Sequence, residues 1–298
     1  MTEHKSERWS CGAFCTSTPA LCLLLVAVFC SAEFLPVFAQ QRSANSDSSE
    51  PTPRQREIEK QRRRLASSDE EERRDAVMRL GSMKHPDGSR VAATALNDPS
   101  AIIRATAASA VLSLPSEESV VLLIPLLNDK KEFVRQQAAY ALGETHSPAA
   151  VEGLVTALER DKQPSVRGAA AVALGMIGDE KASSHLARTI DPAFVVSARF
   201  NQKGKRKDEK DRFVQRAAIH SLGQMRSRAS VPALIAVMTN EKMNDDVRRE
   251  AALSLGLIGD VAAVPVLRTA LESHDPYLAR IAFDALLKIS RLNSNVAN

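Results

Sequence analysis

Residues 166–179 read VRGAAAVALGMIGD, and residues 247–260 read VRREAALSLGLIGD. Each stretch carries an arginine, small residues three and four positions later, an aliphatic residue at the seventh position and a glycine at the eighth. We call this arginine the anchor and count positions from it. Because apolar residues recur every three to four positions, the pattern predicts an amphipathic helix in both places.

The same pattern recurs along the chain, with other residues at the anchor in two copies. The anchors are Arg73, Arg104, Arg135, Arg167, Gln215, Arg248 and Ala279. They lie 31, 31, 32, 48, 33 and 31 residues apart. Each unit predicts a first helix that contains the anchor and a second helix after a short turn. The glycine at position +8 is expected to end the first helix in a left-handed conformation.

The unit resembles the short HEAT-type repeat of the phycobilisome-lyase-like class. The signature of that class is D-x-x-V-R-x-x-A-A-x-A-L-G-x-I-G-D, and the resemblance covers about Ser67 to Leu292. It implies an all-α fold, a right-handed α-solenoid of about seven stacked HEAT-like helix pairs. Stacking is required because a single helix pair cannot bury its apolar face alone.

The composition excludes other classes of protein. With 298 residues, 4% aromatics, 12 Gly and 14 Pro, the chain lacks the aromatic strands and frequent turns of a β-sandwich or propeller. A net charge of +4 is too small to indicate a nucleic-acid binder.

The N-terminal residues predict an export signal. Residues 20–32 read ALCLLLVAVFCSA, an uncharged run too short to span a bilayer. We expect a cleaved signal peptide, residues 1–39, with Ala32 as the second choice of cleavage site. An uncleaved membrane anchor and a lipid on Cys30 are the alternatives. The protein is therefore expected to be periplasmic or secreted, and it contacts a membrane only if the signal is uncleaved. All four cysteines precede the first choice of cleavage site: Cys11, Cys15, Cys22 and Cys30.

Five segments follow the signal in the predicted organisation. They are a disordered linker (40–53), a polar N-terminal capping helix (54–65), the HEAT-repeat solenoid (66–292), a basic loop inserted into it (192–210) and a C-terminal tail (293–298).

No motif for catalysis is recognised. Deoxyhypusine hydroxylases resemble this architecture and hold two irons with His-Glu dipeptides just after the anchor, but none of the seven anchors here is followed by His-Glu. We therefore expect no catalytic residue, no metal, no cofactor and no enzymatic activity. The expected function is a protein-interaction scaffold. The alternative is an accessory subunit of an enzyme complex or a lyase-type HEAT protein.

The resemblance also implies where a partner binds. In solenoids of this class the helix that corresponds to the first helix lines a concave groove, and positions −3, −2, +1, +2 and +5 point outward. We call the side chains at these positions the first-helix face. Its candidate partner-binding residues are Phe133, Gln136, Gln137, Tyr140, Phe213, Arg216, His220, Arg249, Tyr277 and Arg280.

The aromatic residues carry most of this prediction. Phe133, Phe213 and Tyr277 occupy position −2, Tyr140 occupies +5, and Phe283 at +4 is expected on the packed side. Tyrosine and arginine are enriched at interface hot spots. For the two phenylalanines at −2, covering the seam between neighbouring repeats is the alternative.

The inserted loop is a second candidate site, because repeat proteins often carry binding insertions on one face. A solvated loop is the default interpretation of such a run of charges, a binding site for an acidic partner is the alternative, and nucleic acid is not expected. The basic residues are Arg199, Lys203, Lys205, Arg206, Lys207 and Lys210.

Overall fold

The computed structural model describes residues 50–191 and 206–294, apart from the side chains of 206–211. Within these ranges the chain forms fourteen α-helices and no strand. The helices are α1 (Pro53–Arg64), α2 (Glu70–Ser82), α3 (Pro86–Ala92), α4 (Ala101–Ala110), α5 (Ser116–Leu123), α6 (Glu132–Glu144), α7 (Val151–Arg160), α8 (Pro164–Ile177), α9 (Ser183–Ile190), α10 (Arg206–Gln224), α11 (Val231–Thr239), α12 (Asp245–Ile258), α13 (Val264–Ala270) and α14 (Pro276–Ser294).

The helices form a stack in which each first helix packs on the next. The first helices are α2, α4, α6, α8, α10, α12 and α14, and the second helices are α3, α5, α7, α9, α11 and α13. Short 3₁₀ turns extend the second helices at one end. The all-α solenoid is therefore confirmed. In the described residues it comprises six helix pairs and a seventh first helix.

A single apolar core runs through the stack from α1 to α14. Its most regular element is the aliphatic residue at position +7, which is fully buried in α6 (Leu142), α8 (Leu174) and α12 (Leu255). The small residues at +3 and +4 of these helices are also fully buried. They allow neighbouring helices to approach closely. The residues that recur in every repeat are therefore those that pack between units.

The glycine at +8 has a different role from the one predicted. In α6 and α8 it lies inside the helix, since Gly143 and Gly175 precede the helix ends at Glu144 and Ile177. A Cβ atom on Gly143 would come within 2.8 Å of the Cα atom of Ala173 in the next first helix. The prediction of a helix-terminating glycine was therefore wrong, and the missing side chain lets successive first helices touch.

The left-handed residues occur three positions later, at +11. Gly178 and Gly259 adopt positive φ there, and so do Lys84, His146 and Arg226. A left-handed conformation costs a residue with a Cβ atom more than it costs glycine. Three of these helix ends are therefore built with an unfavourable residue.

The N-terminal helix α1 covers the start of the stack. Thr52 and Gln55 form a capping box at its first turn, which fixes where the helix begins. Ile58 and Gln61 are its buried residues, and the helix packs on α2 and α3. Arg64 reaches Glu72 at 3.4 Å. The rest of α1 presents charged and amide side chains to solvent.

Candidate partner-binding face

Large apolar side chains are exposed along the first-helix face. At position −2, Ile102 is 47% exposed, Phe133 44%, Phe213 47% and Tyr277 68%. Met78, at +5 of the first repeat, is 54% exposed. Sequence reasoning missed Ile102 and Met78 because it examined aromatic residues alone. The same register applied to aliphatic residues would have found both.

Phe213 covers a seam between repeats and is exposed as well. Its ring lies against Gly168 at position +1 of the preceding repeat, so closely that a Cβ atom on this glycine would clash with the ring. Both interpretations of this phenylalanine therefore describe part of its surroundings. One side packs on the neighbouring helix, and the other faces solvent.

The middle of the face has neutral polar groups beside its apolar ones. Gln137 donates a hydrogen bond from Nε2 to the hydroxyl of Ser109 at 2.9 Å. Gln136 and Tyr140 are half-buried, and the tyrosine packs against the core. At the outward positions of α4, α6 and α8, Glu132 carries the single charge expected at neutral pH.

The C-terminal part of the face is rich in ionisable side chains, and they are paired with one another. Arg216 lies 3.5 Å from Asp246. His220 contacts Glu250 through Nδ1 at 3.0 Å. Arg280 reaches Asp284, one turn along α14, at 3.3 Å. These pairs span neighbouring turns or neighbouring repeats, so they fix the positions of the charges on the surface.

Arg249, Asp275 and Tyr277 form a cluster. Arg249 donates two hydrogen bonds to the carboxylate of Asp275, at 2.7 and 2.9 Å. These bonds hold the pKa of Asp275 below its usual value, against the opposing effect of desolvation. The guanidinium carbon lies 5.0 Å from the centre of the Tyr277 ring, a cation–π contact that orients the ring.

The predicted environment of the Phe283 side chain was wrong. It was expected on the packed side because it occupies position +4, yet it is 47% exposed. The equivalent residues in other repeats, such as Ala139 and Ala252, are fully buried because the next first helix covers them. The described part of the chain places no further first helix on α14. The guanidinium of Arg280 instead lies 6.0 Å from the ring centre.

A ladder of ion pairs joins the N-terminal repeats, and sequence reasoning missed it. Three anchors each donate two hydrogen bonds to an aspartate that precedes the next first helix. The pairs are Arg73 with Asp98, Arg104 with Asp129, and Arg135 with Asp161. The signal was present in the sequence, because an aspartate follows each of these three anchors by 25 or 26 residues.

Each aspartate of the ladder has several partners. Asp129 accepts the bonds from Arg104, and its Oδ1 also accepts the backbone N–H of Lys131 at 2.8 Å. Its backbone carbonyl accepts a bond from Arg135, the next anchor, at 2.8 Å. The Arg104 guanidinium holds the pKa of the Asp129 carboxyl below its usual value. The ladder therefore links successive repeats by charge-assisted hydrogen bonds.

The ladder changes in the C-terminal repeats. Gln215 replaces the anchor arginine of the fifth repeat and is buried, and its Nε2 has no hydrogen-bond partner among the residues that the structure describes. Asn240 stands 25 residues after it, where the first three repeats have an aspartate 25 or 26 residues after the anchor. In the sixth repeat the ion pair moves by one residue, from the anchor Arg248 to Arg249. Arg248 donates to the backbone carbonyl of Met238 instead.

Part of the predicted basic loop is helical. Helix α10 begins at Arg206, so the predicted loop boundary at residue 210 is wrong by more than a turn. The error arose because the apolar pattern of this helix starts only at Phe213. Arg199, Lys203 and Lys205 lie outside the described residues, and so do the side chains of Arg206, Lys207 and Lys210. The predicted signal peptide and most of the linker also lie outside them.

The described residues contain neither a candidate metal site nor a candidate membrane-spanning helix. No group of three or more His, Cys, Asp or Glu side chains is placed to hold a metal ion in 50–191 or 206–294. Among the helices of the same ranges, none combines the length and the apolar composition that crossing a bilayer requires.

An open depression of about 740 Å³ lies on the second-helix side, between the turn after α5 and helix α7. Ile124 and Leu127 line it, together with the Arg135–Asp161 ion pair. These two charged groups satisfy each other, and the ionisable residues Glu152, Arg160 and Lys162 line the depression as well.

Comparison with known families agrees with this architecture. Residues 59–142, 120–200 and 206–288 match the family of HEAT repeats. The chain belongs to the HEAT-repeat family. The architecture is thus that of a HEAT-repeat scaffold, as the resemblance implied.

One HEAT protein of known activity matches part of the chain. Deoxyhypusine hydroxylase from Gallus gallus is 42% identical over 71 residues, which cover 24% of this chain and 23% of the hydroxylase. The chain thus matches less than a quarter of that relative's length. The prediction that the protein has no enzymatic activity is contradicted by this match to an enzyme. The absence of His-Glu dipeptides after the anchors was too narrow a criterion.

Solved HEAT-like structures show more distant similarity. The phycocyanin lyase complex of CpcE and CpcF from Nostoc sp. PCC7120 is 21% identical, with a TM-score of 0.45 and coverage of 89% of this chain and 97% of that one. Human deoxyhypusine hydroxylase in complex with glycerol is 19% identical, with a TM-score of 0.38 and coverage of 79% and 96%. At these identities and TM-scores, the matches say nothing about function.

Proposed function

We propose that this HEAT-repeat protein is a scaffold that binds another protein across its first-helix face. The observation that carries the proposal is the row of exposed apolar side chains on consecutive first helices, from Met78 and Ile102 to Phe133. Contiguous exposed apolar surface on a soluble domain is typical of an interaction site.

The charge distribution supports a particular kind of partner. The middle of the face, on α4, α6 and α8, is nearly uncharged, whereas the parts before and after it carry charged side chains. A segment with uncharged apolar side chains would fit the middle and would meet a single charged side chain there, that of Glu132. Gln136 and Gln137 supply amide groups that can bond to the backbone of such a segment. The Arg249–Tyr277 cluster would position an aromatic anchor at the other end.

The test is loss of partner binding when the centre of the apolar row is made polar. Ile102→Ser combined with Phe133→Ser should weaken binding of a partner captured from the native compartment by about tenfold or more, because buried apolar anchors dominate interfaces. The matched control is Val121→Ser, which changes a 73% exposed residue on the second helix α5. Unchanged binding by the double variant, with the fold intact by circular dichroism, would refute the proposal.

We further propose that binding takes place outside the cytoplasm, on the basis of the predicted signal peptide. Residues 1–39 fused to a reporter that becomes active only after export should give an active reporter. A control fusion in which Leu23, Leu24 and Leu25 are replaced by arginine should give none. A reporter that stays inactive behind the native segment would contradict the proposed location.

The hydroxylase match favours a second candidate function, a catalytic or accessory chain of an enzyme. An assay of the purified chain for hydroxylation of deoxyhypusine in a protein substrate tests it. Turnover would place an enzymatic function in this chain. Absence of turnover, together with a partner whose binding depends on Phe133, would favour the scaffold.

A further inference from the structure

The two ends of the stack differ in chemistry. At the N-terminal end, α1 covers the first repeat and exposes mostly arginine, glutamate and glutamine side chains. At the C-terminal end, α14 exposes Phe283, at 47%, and Leu287, at 41%. These two residues lie four positions apart, so they form one stripe along the helix surface.

This stripe corresponds to the rows by which other first helices contact their successors. Position +4 is fully buried in the six preceding first helices, including Val77 in α2 and Ile219 in α10. Position +8 is a glycine in five of them, and its backbone touches residue +6 of the next first helix. In α14 position +8 is Leu287. The second repeat also has a leucine at +8, Leu112, and α6 still packs on α4. The stripe of α14 is therefore an apolar surface on which a further helix can pack.

We infer that the occupant is α14 of a second copy of this chain, packed antiparallel about a two-fold axis. In that arrangement Phe283 of one copy faces Leu287 of the partner subunit. The side chains next to the stripe are complementary as well, because reversing the helix brings Asp284 toward Lys288 and Arg291 of the partner subunit. Opposite charges at these flanking positions select partner and orientation in helix pairs.

The polar N-terminal end indicates a closed dimer. Head-to-tail stacking would press the apolar stripe of α14 against the charged surface of α1, where Arg62 and Arg63 are exposed. A two-fold contact uses the apolar stripe twice and leaves both charged ends in solvent. The dimer contact borders the proposed first-helix binding face. Phe283 and Leu287 lie outside the outward positions of that face, whereas Asp284 occupies its position +5.

Sedimentation analysis of the purified chain over a concentration series tests the inference. Since a single helix pair lies at the small end of specific interfaces, we expect a monomer–dimer equilibrium. Leu287→Glu should shift it to monomer, whereas Val121→Glu, a change at an exposed apolar residue of α5, should leave it unchanged. A wild-type chain that stays monomeric throughout the series would overturn the inference, and so would a folded Leu287→Glu variant that still dimerises.

A series of charge-reversal variants distinguishes a specific dimer contact from non-specific hydrophobic association. Asp284→Arg should weaken the dimer, and adding Lys288→Asp and Arg291→Asp should restore it, because the complementary charges then exchange places. Circular dichroism should show all three forms equally helical. Failure of the triple variant to recover dimerisation would exclude the antiparallel arrangement.

Discussion

The N-terminal and C-terminal repeats share one apolar core but differ in the polar contacts that join neighbouring repeats. In the first three repeats, anchor arginines are paired with aspartates of the next repeat in a regular ladder. In the fifth, Gln215 and Asn240 stand at the equivalent positions, and in the sixth the pair is displaced to Arg249 and Asp275. The apolar core nevertheless continues without interruption through both regions. The comparison teaches that the core forms the solenoid, while the ladder adds stability to one part of it.

The largest expected effect concerns the core and should be equal in the two regions. Leu142→Ala in α6 and Leu255→Ala in α12 remove fully buried side chains at the same repeat position. Each should lower the free energy of unfolding by about 2–5 kcal/mol, through lost apolar burial and the cavity left behind. Urea unfolding of the purified variants measures this. A cost confined to the N-terminal variant would show that the two regions are not built alike.

Replacing the anchor residue should have the second largest effect on the free energy of unfolding, and this effect should differ between the two regions. Arg104→Met removes a two-bond partner of the Asp129 carboxylate and should cost about 1.5–3 kcal/mol. Gln215→Met, with the same replacement residue, removes a buried amide whose Nε2 has no partner. It should therefore be neutral or stabilising, because an unsatisfied polar group is no longer buried. Equal losses for the two variants, again from urea unfolding, would contradict the distinction between a paired and an unpaired anchor.

The stability difference between wild type and Arg104→Met should depend on pH. The pKa of Asp129 is lower in the folded protein than in the unfolded chain, chiefly through the Arg104 hydrogen bonds. Its stabilising contribution is therefore present above about pH 4, near the unfolded pKa of aspartate, and is lost as the pH falls through the folded value. The stability difference between wild type and Arg104→Met should shrink between pH 7 and pH 3. A constant difference across that range would mean that the Asp129 charge does not stabilise the fold.

The smallest expected change in the free energy of unfolding comes from glycine substitutions at the helix ends. It should be the same in both regions. Lys84 and Arg226 adopt the left-handed conformation that Gly178 and Gly259 adopt elsewhere. Lys84→Gly and Arg226→Gly should each raise the free energy of unfolding by about 0.5–1 kcal/mol, because glycine removes the steric cost of positive φ. Thermal unfolding checks this. The control is Lys181→Gly, at a residue outside the set with positive φ, and it should not stabilise.

These contrasts explain what the sequence could predict. The repeat and its solenoid were predictable because the buried residues recur at fixed positions, as Leu142 and Leu255 do. The role of Gly143 was misassigned because a glycine near a helix end is equally typical of a helix terminus and of close helix contact. Phe283 was misplaced because position +4 is buried only where another first helix follows. The Arg104–Asp129 pair was missed because its partners lie one repeat apart in the sequence.

The candidate binding residues were predictable only in part. The register placed Phe133, Phe213 and Tyr277 at outward positions, where the structure exposes them. It could not show that the Phe213 ring rests on Gly168, or that Arg249 is held by Asp275. Those contacts join residues of neighbouring repeats, and their geometry follows from how the repeats stack.

Site-specific photo-crosslinking tests the central claim, that a protein partner binds across the first-helix face, most directly. A photoreactive phenylalanine analogue is placed at Phe133 in one protein and at Val121, on the second-helix side, in another. Both are expressed in the native cell and irradiated. The account predicts a discrete crosslinked protein with the probe at position 133, in lower yield when Ile102→Ser is added, and none with the probe at position 121. The reverse pattern, or equal crosslinking from both positions, would contradict it.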